Sequence, residues 1–235
     1  MSVIPIPPGG ETRRSWRGVS SADRAAERQQ ILLDAAFDLV GTEGWAALTV
    51  RGVCRATRLH PRYFYQAFAD VDALLVAVFD RLIGELSEVI AGAAAATGDE
   101  STADRARAGL NAVAHFVADD RRRARVLYTE ALGNDRLNHR RLEAMQQFVD
   151  LLGAAGQTRP NSAGHAAQVA AYIAVGGFTN VLVAWLDGRI DVTLDELVDD
   201  ATAILVAAAE AAAGVAPPRP LPRRPAARSP GRSAR

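Results

Sequence analysis

The stretch from Thr49 to Phe68, TVRGVCRATRLHPRYFYQAF, constrains the fold most, because it reads as two short helices joined by a tight turn. The Thr49 hydroxyl can accept a hydrogen bond from the free amides at the start of a first helix that ends near Thr57. A second helix would begin after His60, with Pro61 at the first helical position, where a missing N–H costs nothing. Preceded by a longer helix, this pair predicts a helix-turn-helix.

The charge of this stretch separates it from the rest of the chain. Residues 45–69 contain no acidic residue, whereas the whole chain is neutral, with 27 basic and 27 acidic residues. Positive charge without neighbouring carboxylates favours phosphates as the partner. An alternative interpretation is a solvated helix face. The basic residues concerned are Arg51, Arg55, Arg58 and Arg62.

The aromatic residues of the second helix are expected to divide between core and surface. Phe64 and Phe68 are predicted to lie in the core. Tyr63 and Tyr65 flank Phe64 and cannot both point inward on a helix of about 3.6 residues per turn, so at least one ring should face outward. An exposed tyrosine beside arginines suits a contact with phosphate.

Helical periodicity covers the remaining chain, and no strand pattern competes with it. A first helix is predicted at residues 22–42, and a later one, from Leu74 to Ile90, would connect the helix-turn-helix to a separate body. The body helices are predicted at residues 102–118, 121–132, 135–154, 163–186 and 194–213. Thr193 and Glu196 have the spacing of a capping box for the last one.

The sequence therefore predicts an all-α protein with four segments. Residues 1–20 would form a disordered arm and residues 214–235 a disordered tail rich in proline and arginine, because neither can build a core. Residues 21–70 would form a helix-turn-helix DNA-binding domain. Residues 71–213 would form a second helical domain.

Residues 166–186 carry no charge and are long enough to cross a bilayer. We predict no membrane span, because Gln168, Thr179 and Asn180 interrupt the run and its flanks lack an aromatic belt. A helix that is apolar on all sides can instead be buried by its own body and by a partner subunit. Cys54 is the single cysteine, so an internal disulfide is excluded and a reducing, cytoplasmic setting is favoured. We interpret Cys54 as a small packing residue.

No pattern of catalytic or metal-binding residues is present in the sequence. His115 with Asp119, and His139 with Glu143, are spaced to share a helix face, but zinc requires three or four converging ligands. A glycine-rich phosphate loop, a nucleophile elbow and a Cys-x-x-Cys pair are also missing. We therefore predict neither an enzyme nor a protein with a cofactor or metal.

The residues from Ile31 to Leu75 resemble the DNA-binding domain of TetR-like transcriptional regulators. The tyrosine and phenylalanine three apart after the second helix, Tyr65 and Phe68, are the most telling feature. The two predicted closing helices resemble those through which such regulators dimerise, and the resemblance implies that residues 71–213 are the domain for effector binding and dimerisation. The further matching residues are Ile31, Ala35, Ala36, Gly44, Leu48, Thr49, Val50, Leu74 and Leu75.

The chain departs from the family pattern at three positions. Arg58 stands where a turn glycine is usual, and it would carry a steric penalty if the position requires a positive φ. His60 replaces the usual serine or threonine cap, and Val71 replaces a lysine at the start of the fourth helix. The habitual phosphate contacts at these last two positions are therefore not carried over.

The resemblance implies a homodimeric repressor that is released from a palindromic DNA operator by a small molecule, which the apolar body suggests is hydrophobic. An alternative is a helical small-molecule-binding protein with a vestigial DNA-binding head. The predicted DNA-binding residues are Thr49, Arg51, Arg58, His60, Pro61, Arg62, Tyr63 and Tyr65. The predicted effector-binding residues are Phe116, Tyr128, Met145, Phe148, Tyr172 and Asn180. The predicted dimer-interface residues are Gly176, Gly177, Val181, Trp185, Leu197, Ala201 and Ile204.

Overall fold

A computed structural model describes residues 21–98, 101–155 and 165–214, and within these ranges the chain is helical and contains no strand. The predicted all-α class is confirmed, whereas the predicted arm and tail lie outside the described residues, except for Gly214. The helices are α1 (Ser21–Glu43), α2 (Val50–Thr57), α3 (Pro61–Ala67), α4 (Val71–Ala96), α5 (Thr102–Ala118), α6 (Arg121–Ala124), α7 (Asp135–Ala155), α8 (His165–Leu186) and α9 (Leu194–Ala213).

Helices α1 to α3 form a small head around one apolar centre. Leu32, Ala36 and Val40 lie on successive turns of α1 and are fully buried, as expected for the core-facing stripe of an amphipathic helix. Val53 of α2 and Phe64 of α3 are also fully buried. The same hydrophobic cluster continues into α4 and the body, so the head is packed directly on the rest of the chain.

Side-chain caps set the starts of several helices. Asp70 accepts a hydrogen bond from the amide of Ala73 at 2.6 Å and starts α4. Thr193 and Glu196 form the predicted capping box at the start of α9, with both reciprocal hydrogen bonds present. These local signals are readable in the sequence, which explains why the predicted start of α9 is confirmed.

The segment after α5 differs from the predicted single helix at residues 121–132. It consists of the short α6, a π-helical turn at Arg125–Thr129 and a 3₁₀ turn at Glu130–Gly133. These turns contact the end of α1 rather than continuing a regular helix. Because those contacts join residues far apart in sequence, helical periodicity carries no signal for the change of geometry.

Polar contacts hold this segment against the head. Arg122 pairs with Asp38 of α1 at 2.5 Å, and Arg125 donates to the carbonyl oxygen of Thr42 at 2.6 Å. Arg125 also pairs with Glu130, whose carboxylate accepts a hydrogen bond from the backbone amide of Trp45. The last turns of α1 are thereby linked to the body through residues 122–130.

The long helix α8 is apolar and only lightly covered by its own chain. Its length and composition are sufficient for a membrane span, and 11% of its most apolar window is buried. Exposed apolar side chains lie on α8 and on its neighbour α9. They are Val169, Tyr172, Ile173 and Ile204.

Candidate nucleic-acid interface

Helix α2 begins as the sequence predicts. The hydroxyl of Thr49 accepts a hydrogen bond from the amide of Gly52 at 3.0 Å, which satisfies one of the free donors of the first turn. Leu48 and Val53 are both buried on either side of this cap. Arg51 and Arg55 are exposed on the outer surface of α2.

The turn between α2 and α3 carries backbone strain at Arg58. This residue has φ 57° and ψ 21°, and it is the one non-glycine residue with a positive φ among the described ranges. The left-handed region costs an L-residue with a Cβ about 1–2 kcal/mol, which is why glycine is common there. The turn keeps the left-handed geometry at this position, so Arg58 carries the steric cost that the sequence predicted for a positive φ.

Helix α3 is capped by a histidine. The Nδ1 atom of His60 accepts a hydrogen bond from the amide of Arg62 at 3.2 Å, and Pro61 occupies the first helical position. His60 therefore performs the capping function that a serine or threonine usually provides. Val71 is the third residue that differs from the family pattern. It is partly buried and packs against the hydrophobic core, so apolar packing replaces a charged side chain at the start of α4.

The guanidinium groups of two arginines lie close to the ring of Tyr63. The Cζ atom of Arg62 lies 4.6 Å from the ring centroid, and that of Arg28, on α1, lies 4.8 Å from it. Arg62 also donates a 2.6 Å hydrogen bond to the Tyr63 hydroxyl. This bond, with the charges of Arg62 and Arg28, lowers the pKa of the phenol below its ordinary value.

The sequence-based prediction missed Arg28. It lies one turn before Leu32, so it continues the α1 stripe that packs on the other head helices. That four-residue spacing is the signal that places its guanidinium near α3.

The other aromatic residues of α3 divide as predicted. Phe64 is fully buried and Phe68 is 7% exposed, whereas Tyr65 is 60% exposed. Phe64 contacts both neighbours, with ring centroids 5.4 Å from Tyr65 and 6.2 Å from Phe68. The expectation that at least one tyrosine faces outward is confirmed.

The exposed surface of α2, the turn and α3 is basic. Arg51, Arg55, Arg58 and Arg62 are exposed, and none pairs with a carboxylate of the described residues. Arginines of the body behave differently, because carboxylates neutralise many of them. The paired residues are Arg81, Arg107, Arg122, Arg125, Arg136, Arg140 and Arg189.

The predicted effector-binding residues are distributed over several elements of the body. Phe116 lines an open cleft between α4 and α5. Tyr128 lies in the π-helical turn, where burial raises the pKa of its phenol. Tyr172 donates its hydroxyl to Gln146 between α7 and α8.

Asn180 does not provide the predicted polar contact inside the body. It is exposed, and its amide donates to the carbonyl oxygen of Gly176 in its own helix at 2.7 Å. Met145 and Phe148 are partly buried on α7, and the methyl group of Met145 faces Gly176. Met145 and Gly176 thus mark a close approach of α7 to α8.

The predicted dimer-interface residues occupy different environments. Ile204 is 67% exposed and Gly177 is also exposed, whereas Val181, Trp185 and Ala201 pack against the chain's own core. Leu197 is 5% exposed, so its assignment to an outward face is wrong; it is a core residue of α9. Val169 and Ile173, two exposed apolar residues of α8, were not among the predicted interface residues.

The described chain is thus a two-part helical protein with a basic helix-turn-helix head. No family model and no curated protein matches its sequence. A TetR-like transcriptional regulator from Rhodococcus sp. RHA1 is 21% identical, with a TM-score of 0.58 over 79% of this chain and 94% of that chain. The chain therefore has the fold of TetR-like transcriptional regulators.

Two further solved structures have the same architecture. The multidrug binding protein EbrR, complexed with imidazole, is 21% identical, with a TM-score of 0.60 over 77% of this chain and 94% of that chain. FadR from Bacillus subtilis, in complex with stearoyl-CoA, is 15% identical, with a TM-score of 0.60 over 76% of this chain and 98% of that chain. At these identities the likeness concerns the fold.

Proposed function

We propose that the chain is a homodimeric, ligand-responsive transcriptional regulator, a cytoplasmic repressor without catalytic activity that binds a palindromic operator. The observation that carries the proposal is the exposed basic surface of α2, the turn and α3, where the arginines lack carboxylate partners. Each phosphate that such a surface neutralises releases condensed counterions from DNA, which favours binding and makes it dependent on salt.

Helix α3 is the proposed recognition helix. It is the second helix of the helix-turn-helix, the one that enters the major groove in proteins of this architecture. Arg62 and Tyr63 are the proposed readers of bases or adjacent phosphates, and their mutual hydrogen bond arranges both side chains before DNA arrives. Thr49, Arg51 and Tyr65 are proposed to hold the DNA backbone on either side.

The proposed partner surface is the exposed apolar side of α8 and α9. Val169, Ile173 and Ile204 are more than half exposed, and exposed apolar side chains of this size favour association. A two-fold dimer would cover this surface with the same surface of a second chain and present two α3 helices to successive half-sites about 34 Å apart.

The proposed effector is a small molecule with a large apolar part. EbrR is a multidrug binding protein and was solved with imidazole, and FadR from Bacillus subtilis was solved with stearoyl-CoA. By analogy, we propose that a small molecule binds the body of this chain and releases the DNA. Such release requires different affinities of the effector for the DNA-bound and DNA-free conformations.

The salt dependence of binding to the DNA that flanks the chain's own gene tests this proposal. Fluorescence anisotropy should show specific binding that weakens as salt rises, with a logarithmic slope of about −0.9 for each phosphate neutralised. A matched control is Arg189→Ala, which removes an exposed arginine between α8 and α9 and should leave the slope unchanged. Absence of specific, salt-dependent binding would instead favour the small-molecule-binding protein with a vestigial head.

A further inference from the structure

An open cleft between α4 and α5 combines an apolar base with a ring of acidic groups. It has a volume of about 360 Å³. Ala112 and Phe116 are buried at its base beside the half-exposed Val89. The polar residues that line it are Glu85, Glu88, His115, Asp119 and Arg123.

Arg123 already places a planar cation on the aromatic base of this α4–α5 cleft. Its Cζ atom lies 4.3 Å from the centroid of the Phe116 ring, and its Nη1 atom donates to the Phe116 carbonyl oxygen at 2.9 Å. No carboxylate of the described residues pairs with this guanidinium. The ring thus holds a cation through its face, the geometry of a cation–π contact.

The acidic groups of the cleft are largely free to receive a second cation. Glu85 reaches Arg81 at 3.8 Å, while Glu88 and Asp119 form no ion pair within the described chain. With Glu85 beside Arg81, the two remaining carboxylates outnumber the one guanidinium of the cleft, so the cleft is electrostatically complementary to a positively charged molecule.

We propose that the α4–α5 cleft binds an aromatic amidinium or guanidinium. The cationic group takes the place of Arg123 on the Phe116 ring, within the field of Glu88 and Asp119. The aromatic part of the ligand lies against Val89 and Ala112. This assignment extends the proposed function. The effector would carry one positive charge beside its apolar part and would bind in the α4–α5 cleft.

The position of Arg123 connects the cleft with the head. Arg122, which precedes Arg123, pairs with Asp38 of α1. Arg125, two residues after Arg123, donates to the carbonyl oxygen of Thr42. A ligand that displaces Arg123 therefore acts on the same short segment that holds the end of α1. This coupling step rests on the proposed DNA-binding function, whereas ligand binding itself does not.

Calorimetry with the full chain tests the cleft with three probes of nearly equal shape. Benzamidinium is a cation, benzamide is neutral and benzoate is an anion. Benzamidinium should bind at least about tenfold more tightly than benzamide, and benzoate should not bind, because the cleft is acidic. Equal affinity for the three probes would overturn the assignment.

The same titration with two variants tests the roles of the acidic groups and of the Phe116 ring. The isosteric double variant E88Q/D119N should weaken benzamidinium binding by about tenfold, since it removes two charges without changing side-chain size. Arg123→Ala should tighten binding, because it exposes the Phe116 ring. Glu210→Gln, a substitution of an exposed carboxylate at the end of α9, is the matched control and should have no effect. Weaker binding by Arg123→Ala, or an equal loss in the control, contradicts the proposal.

Operator binding distinguishes failure of this inference from failure of the proposed function. If the protein binds its operator and benzamidinium does not bind, the cleft assignment alone is wrong. If benzamidinium binds but no specific DNA binding occurs, the proposed function fails and the cleft assignment survives. Binding of both, with release of DNA at saturating benzamidinium, supports the coupling through residues 122–125; unchanged DNA affinity overturns that coupling.

Discussion

Arg58 shows how a single residue stores strain at the centre of the candidate interface. Its positive φ is the geometry that a glycine would adopt without steric cost, and the turn retains that geometry with an arginine. The arginine side chain is exposed and adds positive charge beside α3. We infer that positive charge at the candidate interface is gained at a modest cost in folding stability.

Replacing Arg58 with glycine should therefore stabilise the protein. Relief of the left-handed strain outweighs the added freedom of the unfolded chain, and the net gain in the free energy of unfolding should be about 0.5–1 kcal/mol. Urea denaturation measures this difference. Arg55→Gly, in the interior of α2, is the control and should destabilise by about 1 kcal/mol. A loss of stability in both variants would show that Arg58 is not strained.

Tyr63 should titrate at lower pH than Tyr128. Because Arg62 donates to its hydroxyl and stabilises the phenolate, the pKa of Tyr63 is lowered, whereas burial raises that of Tyr128. On raising the pH, ultraviolet absorbance should record the Tyr63 phenolate, identified by its loss in Tyr63→Phe, before the Tyr128 phenolate. Arg62→Gln should move the Tyr63 transition to higher pH. The idea fails if Arg62→Gln leaves the Tyr63 transition unchanged.

At the scale of elements, α1 and α6 approach each other so closely that Gly41 leaves no room for a side chain. A Cβ atom at this position would lie 2.5 Å from the Cβ atom and 2.9 Å from the Cγ atom of Arg122. These atoms lie near the backbone of α6, so the helix itself must move to accept a methyl group. The contact belongs to the segment that links the head with the body.

Gly41→Ala should destabilise the protein by about 1–3 kcal/mol, the usual cost of overpacking a tight contact. Gly84→Ala is the matched control, since Gly84 lies in α4 with nothing within 4 Å of its added Cβ. That control should stabilise by about 0.4–1 kcal/mol through helix propensity. Thermal and urea unfolding measure both. Equal effects of the two substitutions would contradict the close contact.

The sequence predicted elements well where their signals are local. The ranges of α5 and α9 agree with prediction because Ser101 and Thr193 cap them within the same four residues that form the first turn. The segment after Arg121 was predicted less well, because its π-helical turn accompanies contacts with distant residues, of Arg125 with Thr42 in α1 and of Glu130 with Trp45 just after it.

The candidate interface was predictable to a similar extent. Acid-free sequence and the Pro61 signal located α3, and the exposure of Tyr65 agrees with its helical position. The pairing of Arg28 with Tyr63 required the packing of α1 on α3. Leu197 was assigned to the wrong surface, because an apolar stripe alone does not indicate whether the chain's own core or a partner covers it.

At the scale of the molecule, the proposed dimer would use a second chain to cover the apolar side of α8 and α9. Ile173 is 62% exposed and Ile204 is 67% exposed, yet both lie on helices that otherwise pack the body. A monomer would leave this surface in water. The same surface on a second molecule would bury it symmetrically.

The double substitution I173R/I204R should convert the dimer to a monomer, because it places charges in an apolar interface. Sedimentation equilibrium should give about half the molecular mass of the unaltered protein, with helical circular dichroism retained. Val192→Arg, at an exposed apolar residue between α8 and α9, is the control and should remain dimeric. A monomeric unaltered protein would contradict the assembly.

Operator specificity tests directly whether α3 recognises DNA. Footprinting of the DNA that flanks the gene should reveal a protected palindrome with half-sites about one helical turn apart. On that site Arg62→Ala should weaken binding by about 1–3 kcal/mol while binding to random DNA changes less, as expected for a residue that reads a base. An equal loss on both would make Arg62 a phosphate contact, and the absence of any protected site would contradict the claim that this chain is a DNA-binding regulator.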